Sequence, residues 1–141
     1  MIVSQILSTK GDEVITASVD SDLMTIVNLL SKRKIGAVVI VDGEKVCGIC
    51  SERDVVRELA ADGSDAFSKV VSKFMTRDVI SCTQDDTIDH LMEKMTEGRF
   101  RHIPVMDGDK LIGLISIGDV VKRKISEAVQ EAEDLKRYIA G

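Results

Sequence analysis

The chain carries one pattern twice. Placing Val14 on Val79 and reading forward without a gap aligns residues 14–57 with residues 79–122, giving 11 identities over 44 positions. Among them are Asp20/Asp85, Asp42/Asp107, Gly43/Gly108, Gly48/Gly113, Ser51/Ser116 and Asp54/Asp119, and most other pairs keep hydrophobic class. A repeat at a constant offset of 65 residues constrains the architecture before any element is assigned, because two copies of one pattern fold alike and bury their apolar faces together. With 141 residues, the chain can bury one good core and is too short for two large independent domains.

Each copy opens with a short β-prone run, residues 14–17 and 79–82, followed by aspartates suited to capping a helix, so helices are expected from near Asp20 and Asp85. Leu23, Ile26, Val27 and Leu30 then recur at i, i+3, i+4 and i+7, as do Ile88, Leu91, Met92 and Met95, which predicts one buried stripe per helix. Two apolar runs follow, 37–41 and 102–106, each ending in Asp-Gly, and then 46–50 and 111–115. Asp42-Gly43 and Asp107-Gly108 are hairpin signals, since glycine adopts positive φ without a Cβ clash. A last helix is expected from Ser51 and from Ser116. The order is β-α-β-β-α twice, an α+β (mixed α/β) fold whose near-continuous apolar strands imply sheets covered on both faces.

The expected divisions are residues 1–60 for the first unit with an N-terminal segment, 61–125 for a linker and the second unit, and 126–141 for a helical extension. Residues 60–69 are small and polar and mark the connection. Two similar phrases, residues 3–8 and 71–76, precede the units at an offset of 68 rather than 65. In the extension, Leu135, Tyr138 and Ile139 form an apolar stripe suited to an intramolecular brace or a dimer contact.

Composition excludes several classes of function. A net charge of −5, a pI near 5.0 and 3% aromatic residues oppose the counterion release and base stacking that drive nucleic-acid binding. No stretch reaches the 18 or more apolar residues of a membrane span, and the N-terminus lacks a signal-peptide pattern, so the expected location is cytoplasmic. Cys47, Cys50 and Cys82 are odd in number and sit among apolar residues, which favours buried reduced thiols over a metal or redox role for Cys47-Gly-Ile-Cys50.

Gly48-Ile49-Cys50-Ser51-Glu52-Arg53-Asp54 and Gly113-Leu114-Ile115-Ser116-Ile117-Gly118-Asp119 share Gly, apolar residues, Ser, two variable residues and Asp. With Arg101-His102-Ile103-Pro104-Val105, they resemble the cystathionine-β-synthase-type (CBS) domain, and the pair resembles a Bateman module over nearly the whole chain. The resemblance implies two units related by pseudo-twofold symmetry and packed sheet to sheet, a homodimer, and a regulatory module that binds an adenine nucleotide such as AMP, ATP or NAD(H) without turning it over. No cofactor is required, and a regulated partner protein is implied. The first unit departs from the pattern by carrying Gly36-Ala37 where the second has Arg101-His102.

Ser51 with Asp54 and Ser116 with Asp119 have capping-box spacing, which by itself explains both pairs. The same geometry serves a ligand: helix-start amides and a Ser hydroxyl attract phosphate, and the family's Asp commonly holds ribose. Arg101, His102 and Arg53 are then phosphate contacts, with solvated surface roles as the alternative. The resemblance also points to Thr16, Ser18, Ser81 and Thr83 near adenine, to Val38 and Ile103 as an aliphatic sandwich for the base, and to Pro104 beside them. Two rivals remain open at this stage, a structural dimerisation module with vestigial clefts and a small metal-assisted hydrolase built on the paired aspartates.

Overall fold

A computed structural model of the chain describes residues 1–11 and 13–140. Helix α1 (Val3–Lys10) precedes a first unit of β1 (Thr16–Ser18), α2 (Leu23–Arg33), β2 (Ala37–Asp42), β3 (Lys45–Ser51) and α3 (Glu52–Asp62). Two 3-10 turns, Gly63–Ser68 and Val71–Lys73, lead to α4 (Ile88–Gly98), β4 (His102–Asp107), β5 (Lys110–Ser116) and α5 (Ile117–Ala140). The two hairpins are copies in detail: Ala37 faces Ser51 as His102 faces Ser116, and both ladders slip register at equivalent places, after Ile40 and after Val105. Gly43 and Gly108 turn the hairpins at φ of 63° and 60°. The result is a mixed helix-and-strand fold with two small sheets, its two units related by pseudo-twofold symmetry.

Two local expectations are corrected. The first helices of the units start at Leu23 and Ile88, capped by Asp22 and Thr87, whose side chains accept from the amides of Thr25 and His90. Asp20 and Asp85 lie before these caps, because a cap needs an oxygen three residues ahead of a free amide, and Asp22 and Thr87 satisfy that for these helices. Residues 79–82 do not form the counterpart of β1. Cys82 alone bridges to β4, through its amide to the Pro104 carbonyl and its carbonyl to the Met106 amide.

The offset of 68 has a structural meaning. Val3 and Ile6 of α1 are buried in the core of the second unit, against Ile88, Leu91, Ile103 and Ile115, although in sequence they precede the first. Val71, Phe74 and Met75, ahead of the second unit, are buried in the core of the first. Each leading segment thus closes the other unit's core. The 60–69 connection is packed as well: Ala66 is fully buried, and the Lys69 ammonium bonds Glu58 and Asp62 of α3. These crossed segments meet a glycine in each sheet. A Cβ on Gly48 lies 2.7 Å from Met75 Sδ and 2.8 Å from the Thr76 carbonyl oxygen, and one on Gly113 lies 2.6 Å from Leu7 Cδ2.

Gly48→Ala is therefore expected to destabilise by about 1–3 kcal/mol, because the Thr76 carbonyl is backbone and cannot swing away. Gly113→Ala meets only the end of a leucine side chain and is expected to cost less. Equilibrium urea unfolding of the two variants checks the order, and equal or reversed losses would contradict the packing.

Candidate functional site

A cavity of about 540 Å³ opens between the start of α3 and the loop joining α4 to β4. The first unit contributes Gly36, Ile49, Ser51, Glu52, Arg53, Asp54 and Arg57, and the second contributes Gly98, Arg99, Phe100, Arg101 and His102. Thr76, Asp78, Val79 and Ile80 form the wall between them. Of the residues expected from sequence, Ser51, Arg53, Asp54, Arg101 and His102 come together here.

Asp54 is the one buried charged residue among those described, with a side chain 3% exposed. Its Oδ2 accepts from the Ser51 amide at 2.9 Å, and Ser51 Oγ accepts in turn from the Asp54 amide, so the capping box is complete. Oδ1 receives the Thr76 hydroxyl at 3.3 Å and the Arg57 guanidinium at 3.3 Å. Thr76 is held there by a two-way backbone pairing with Ile49 at 3.0 and 2.9 Å. The helix-start amides are already engaged in part: Glu52 donates to the Gly36 carbonyl at 3.0 Å and Asp54 to Ser51. Positive charge in the cleft therefore comes chiefly from Arg53, Arg57, Arg99 and Arg101 rather than from free amides, with Glu52, Asp54 and Asp78 opposing it.

Gly36 explains the first unit's departure from Arg-His. A Cβ at Gly36 lies 3.1 Å from His102 Cε1 and 3.2 Å from Nε2, so the missing side chain makes room for the other unit's imidazole. Burial, reinforced by the Lys10 charge, holds His102 below its ordinary value of 6.5, while Glu52 and Asp119 pull the opposite way. At neutral pH the ring is uncharged.

At the equivalent position in the second unit the aspartate is engaged by a lysine. Ser116 and Asp119 repeat the cap, with the Ser116 amide 2.9 Å from Asp119 Oδ2 and the Asp119 amide 3.1 Å from Ser116 Oγ. However, Lys10 Nζ sits 2.6 Å from that same Oδ2 and 2.7 Å from the Leu114 carbonyl oxygen. Leu114 is the counterpart of Ile49, whose carbonyl takes the Thr76 amide instead. Burial pushes the Asp119 carboxyl up, but the Lys10 hydrogen bond and the Ser116 amide outweigh it and hold the group below its ordinary value. At the offset of 68, Lys10 corresponds to Asp78, so one cleft carries an acid where the other carries its plug.

Several expected contacts lie elsewhere. Val38 and Ile103 are fully buried in the two cores, and Pro104 is buried in β4 opposite Leu114, so none of them lines the cleft. Ser81 and Thr83 are exposed off its wall, with the Thr83 amide bonded to Asp86. Ser18 Oγ accepts from the Asp20 amide, and Thr16 faces a separate hollow between the hairpins. The apolar wall is instead Ile49, Val79, Ile80 and Phe100. Nothing in the sequence marked Val79 and Ile80 as this wall, since residues 79–82 read only as a β-prone run. Cys50 and Cys82 are pushed up to about 12, chiefly by burial, with Asp54 and Asp86 adding to it, which fits inert thiols. Among the described residues no group of three His, Cys, Asp or Glu is placed to hold a metal, and no helix is long and apolar enough to cross a membrane.

The CBS domain model matches residues 3–61 and 71–126, and the chain belongs to the CBS-domain family as a tandem pair. It is 30% identical to the Arabidopsis thaliana CBS domain-containing protein CBSX3, mitochondrial, over 99% of this chain and 72% of that protein. A CBS-domain containing protein from Agrobacterium tumefaciens matches with a TM-score of 0.86 at 43% identity, over 88% of this chain and 99% of that one. The CBS domain pair of protein MJ0100, solved in complex with 5-methylthioadenosine and S-adenosyl-L-methionine, matches with a TM-score of 0.81 at 27% identity, covering 90% of this chain and 98% of its own.

The depressed His102 value gives a pH signature. Unfolding restores the ordinary value, so below about 6.5 the unfolded chain binds a proton that the folded chain refuses until its own lower value is reached. Stability is expected to fall as pH drops through that window, and His102→Gln to flatten the fall. Asp22, Asp86, Asp89 and Asp119 are also held below their ordinary 3.8, so their contribution is lost only at lower pH. Urea unfolding at stepped pH checks this; a slope near pH 6 unchanged by His102→Gln would contradict it.

Proposed function

We propose that this CBS pair is a regulatory module that senses a phosphorylated adenine nucleotide, AMP, ATP or NAD(H), in the cleft floored by Asp54, and does not turn it over. The observation that carries this reading is a cavity of about 540 Å³ lined by a buried carboxylate, Asp54, and by four arginines, Arg53, Arg57, Arg99 and Arg101. That volume falls in the range of small-molecule sites, roughly 300–1,000 Å³. Asp54 Oδ2 is committed to the cap, so Oδ1 is the atom for a ribose hydroxyl, with exposed Arg57 free to swing from it towards phosphate. Ile49, Val79, Ile80 and Phe100 supply the apolar surface for a base.

The solved neighbour's two ligands support an adenosine-type occupant. The arginines argue for phosphate over a sulfonium, since a cationic ligand gains nothing from them. Lys10 argues for one ligand per chain, because a nucleotide in the second cleft has to displace an ammonium from Asp119. A ligand changes the module's state only by favouring one arrangement of the units or of two chains over another.

Thermal denaturation with AMP, ADP, ATP, NADH and S-adenosylmethionine tests the ligand class. A phosphorylated nucleotide at a hundred times its dissociation constant is expected to stabilise by about 2.7 kcal/mol. No shift with any of them would favour a structural dimerisation module, and product formation would favour an enzyme. Calorimetric titration of the effective nucleotide is expected to give one site per chain. Asp54→Asn should weaken it by about tenfold or more, the loss of a charged hydrogen-bond acceptor, and Lys10→Met should raise the stoichiometry to two. Unchanged affinity in the first variant would sink the ribose assignment, and a stoichiometry still at one in the second would sink the role of Lys10.

A further inference from the structure

One side chain stands between the two helix starts that carry the Ser-x-x-Asp pairs. His102 lies opposite Ser116 in the β4–β5 ladder, and the Ile117 amide donates to the Arg101 carbonyl at 2.8 Å, so β4 begins against the start of α5. The His102 ring reaches the other way, to the Cβ position of Gly36, where the Glu52 carboxyl carbon also comes within 4.0 Å. The Gly36 carbonyl accepts the Glu52 amide at the start of α3. The imidazole is thereby a wall of the Asp54 cleft and, at once, a neighbour of the Lys10–Asp119 pair.

Charge reaches the ring from several elements. Lys10 at the end of α1 and Arg101 beside the ring oppose a proton on it, whereas Glu52 of α3 and Asp119 of α5 favour one. Across the cavity, Asp54 and Asp78 face the four cleft arginines. The arginines and Lys10 outnumber these carboxylates, and partial burial adds its own cost to an imidazolium. A phosphate among the arginines reverses that balance. It brings about 1.5–2 negative charges near neutral pH, and at a partly buried face they are weakly screened.

We infer that His102 is a proton site shared by the two clefts: a nucleotide in the Asp54 cleft and a proton on His102 each tighten the binding of the other, and Lys10 sets the pH at which they do. This rests on the nucleotide reading above and adds a second ligand to it, the proton. The reciprocity is obligatory, since an anion that raises the proton affinity of the ring is itself held more tightly once the ring is protonated. The sign follows from it. Affinity is flat at high pH, climbs as pH falls through the range where the bound ring takes its proton, and levels off once the ring of the free chain is protonated too. The Lys10–Asp119 pair thus acts on a ligand in the other cleft without touching it, and the two unequal clefts work as one device.

The chain has two histidines, His90 and His102, so proton NMR follows the His102 ring directly, with His102→Gln assigning its signal and His90 as the internal reference. Saturating AMP or NADH is expected to move the His102 titration to higher pH. Lys10→Met is expected to move it in the same direction in the free chain, where no nucleotide takes part. Calorimetry with NADH, whose diphosphate does not titrate in this range, is expected to show protons taken up from the buffer on binding. Its affinity is expected to be about threefold or more higher at pH 6 than at pH 8, part of the tenfold that one pKa unit carries, and His102→Gln is expected to remove both effects. A nucleotide that binds and leaves the His102 titration unmoved overturns the inference while the nucleotide reading stands. A free-chain titration unmoved by Lys10→Met overturns it as well. Failure of AMP, ATP and NADH to bind at either pH overturns both.

Discussion

The structure depends on an exchange of short segments between its two units. Val3 and Ile6 complete the second core and Val71, Phe74 and Met75 complete the first, so neither unit is closed by the residues nearest to it in its own repeat. The glycines at 48 and 113 are the sockets for this exchange, one taking Met75 and the other Leu7. Burying several large apolar side chains at each crossing contributes roughly 1.5–3 kcal/mol per side chain, enough to make the two units fold as one body. The crossing also creates the site: the backbone pairing of Thr76 with Ile49 sets the hydroxyl of Thr76 against Asp54 and carries Asp78, Val79 and Ile80 along the cleft wall.

The same crossing makes the clefts unequal. On one side the segment leaves the sheet after Thr76, so the cavity stays open beside Asp54. On the other, α1 keeps helical geometry for one more turn and delivers Lys10 to Asp119 and to the Leu114 carbonyl. An ammonium at 2.6 Å from a half-buried carboxylate satisfies the charge that a ribose would otherwise approach. Duplicated scaffold and divergent chemistry are therefore separable properties of this chain. The hairpins agree down to the position of their register slips, while residues 10 and 78 carry opposite charge.

Much of the scaffold was legible in the sequence. The offset of 65, the stripes at Leu23, Ile26, Val27 and Leu30 and at Ile88, Leu91, Met92 and Met95, the Asp-Gly turns and the Ser-x-x-Asp caps all rest on local periodicity or turn chemistry, and the structure keeps them, with Val27 and Met92 only partly buried. What escaped depends on contacts between residues far apart in the chain. Lys10 lies 109 positions from Asp119, and nothing around it marks it as a partner. Residues 79–82 have strand composition but pair only at Cys82, and Val79 and Ile80 line the cleft. Val38 and Ile103, to which the resemblance pointed as pocket lining, lie on apolar strands and are buried in the two cores. The Gly36 departure from the Arg-His pattern leaves the space beside the His102 ring, a contact between residues 66 positions apart.

The most direct measurement of the unequal pair is a crystal structure of the unaltered chain grown with the nucleotide that stabilises it most. Electron density for one nucleotide per chain is expected beside Asp54, with phosphate among Arg53, Arg57, Arg99 and Arg101 and with Lys10 still on Asp119. Density in the Asp119 cleft with Lys10 displaced, or in neither cleft, would contradict it.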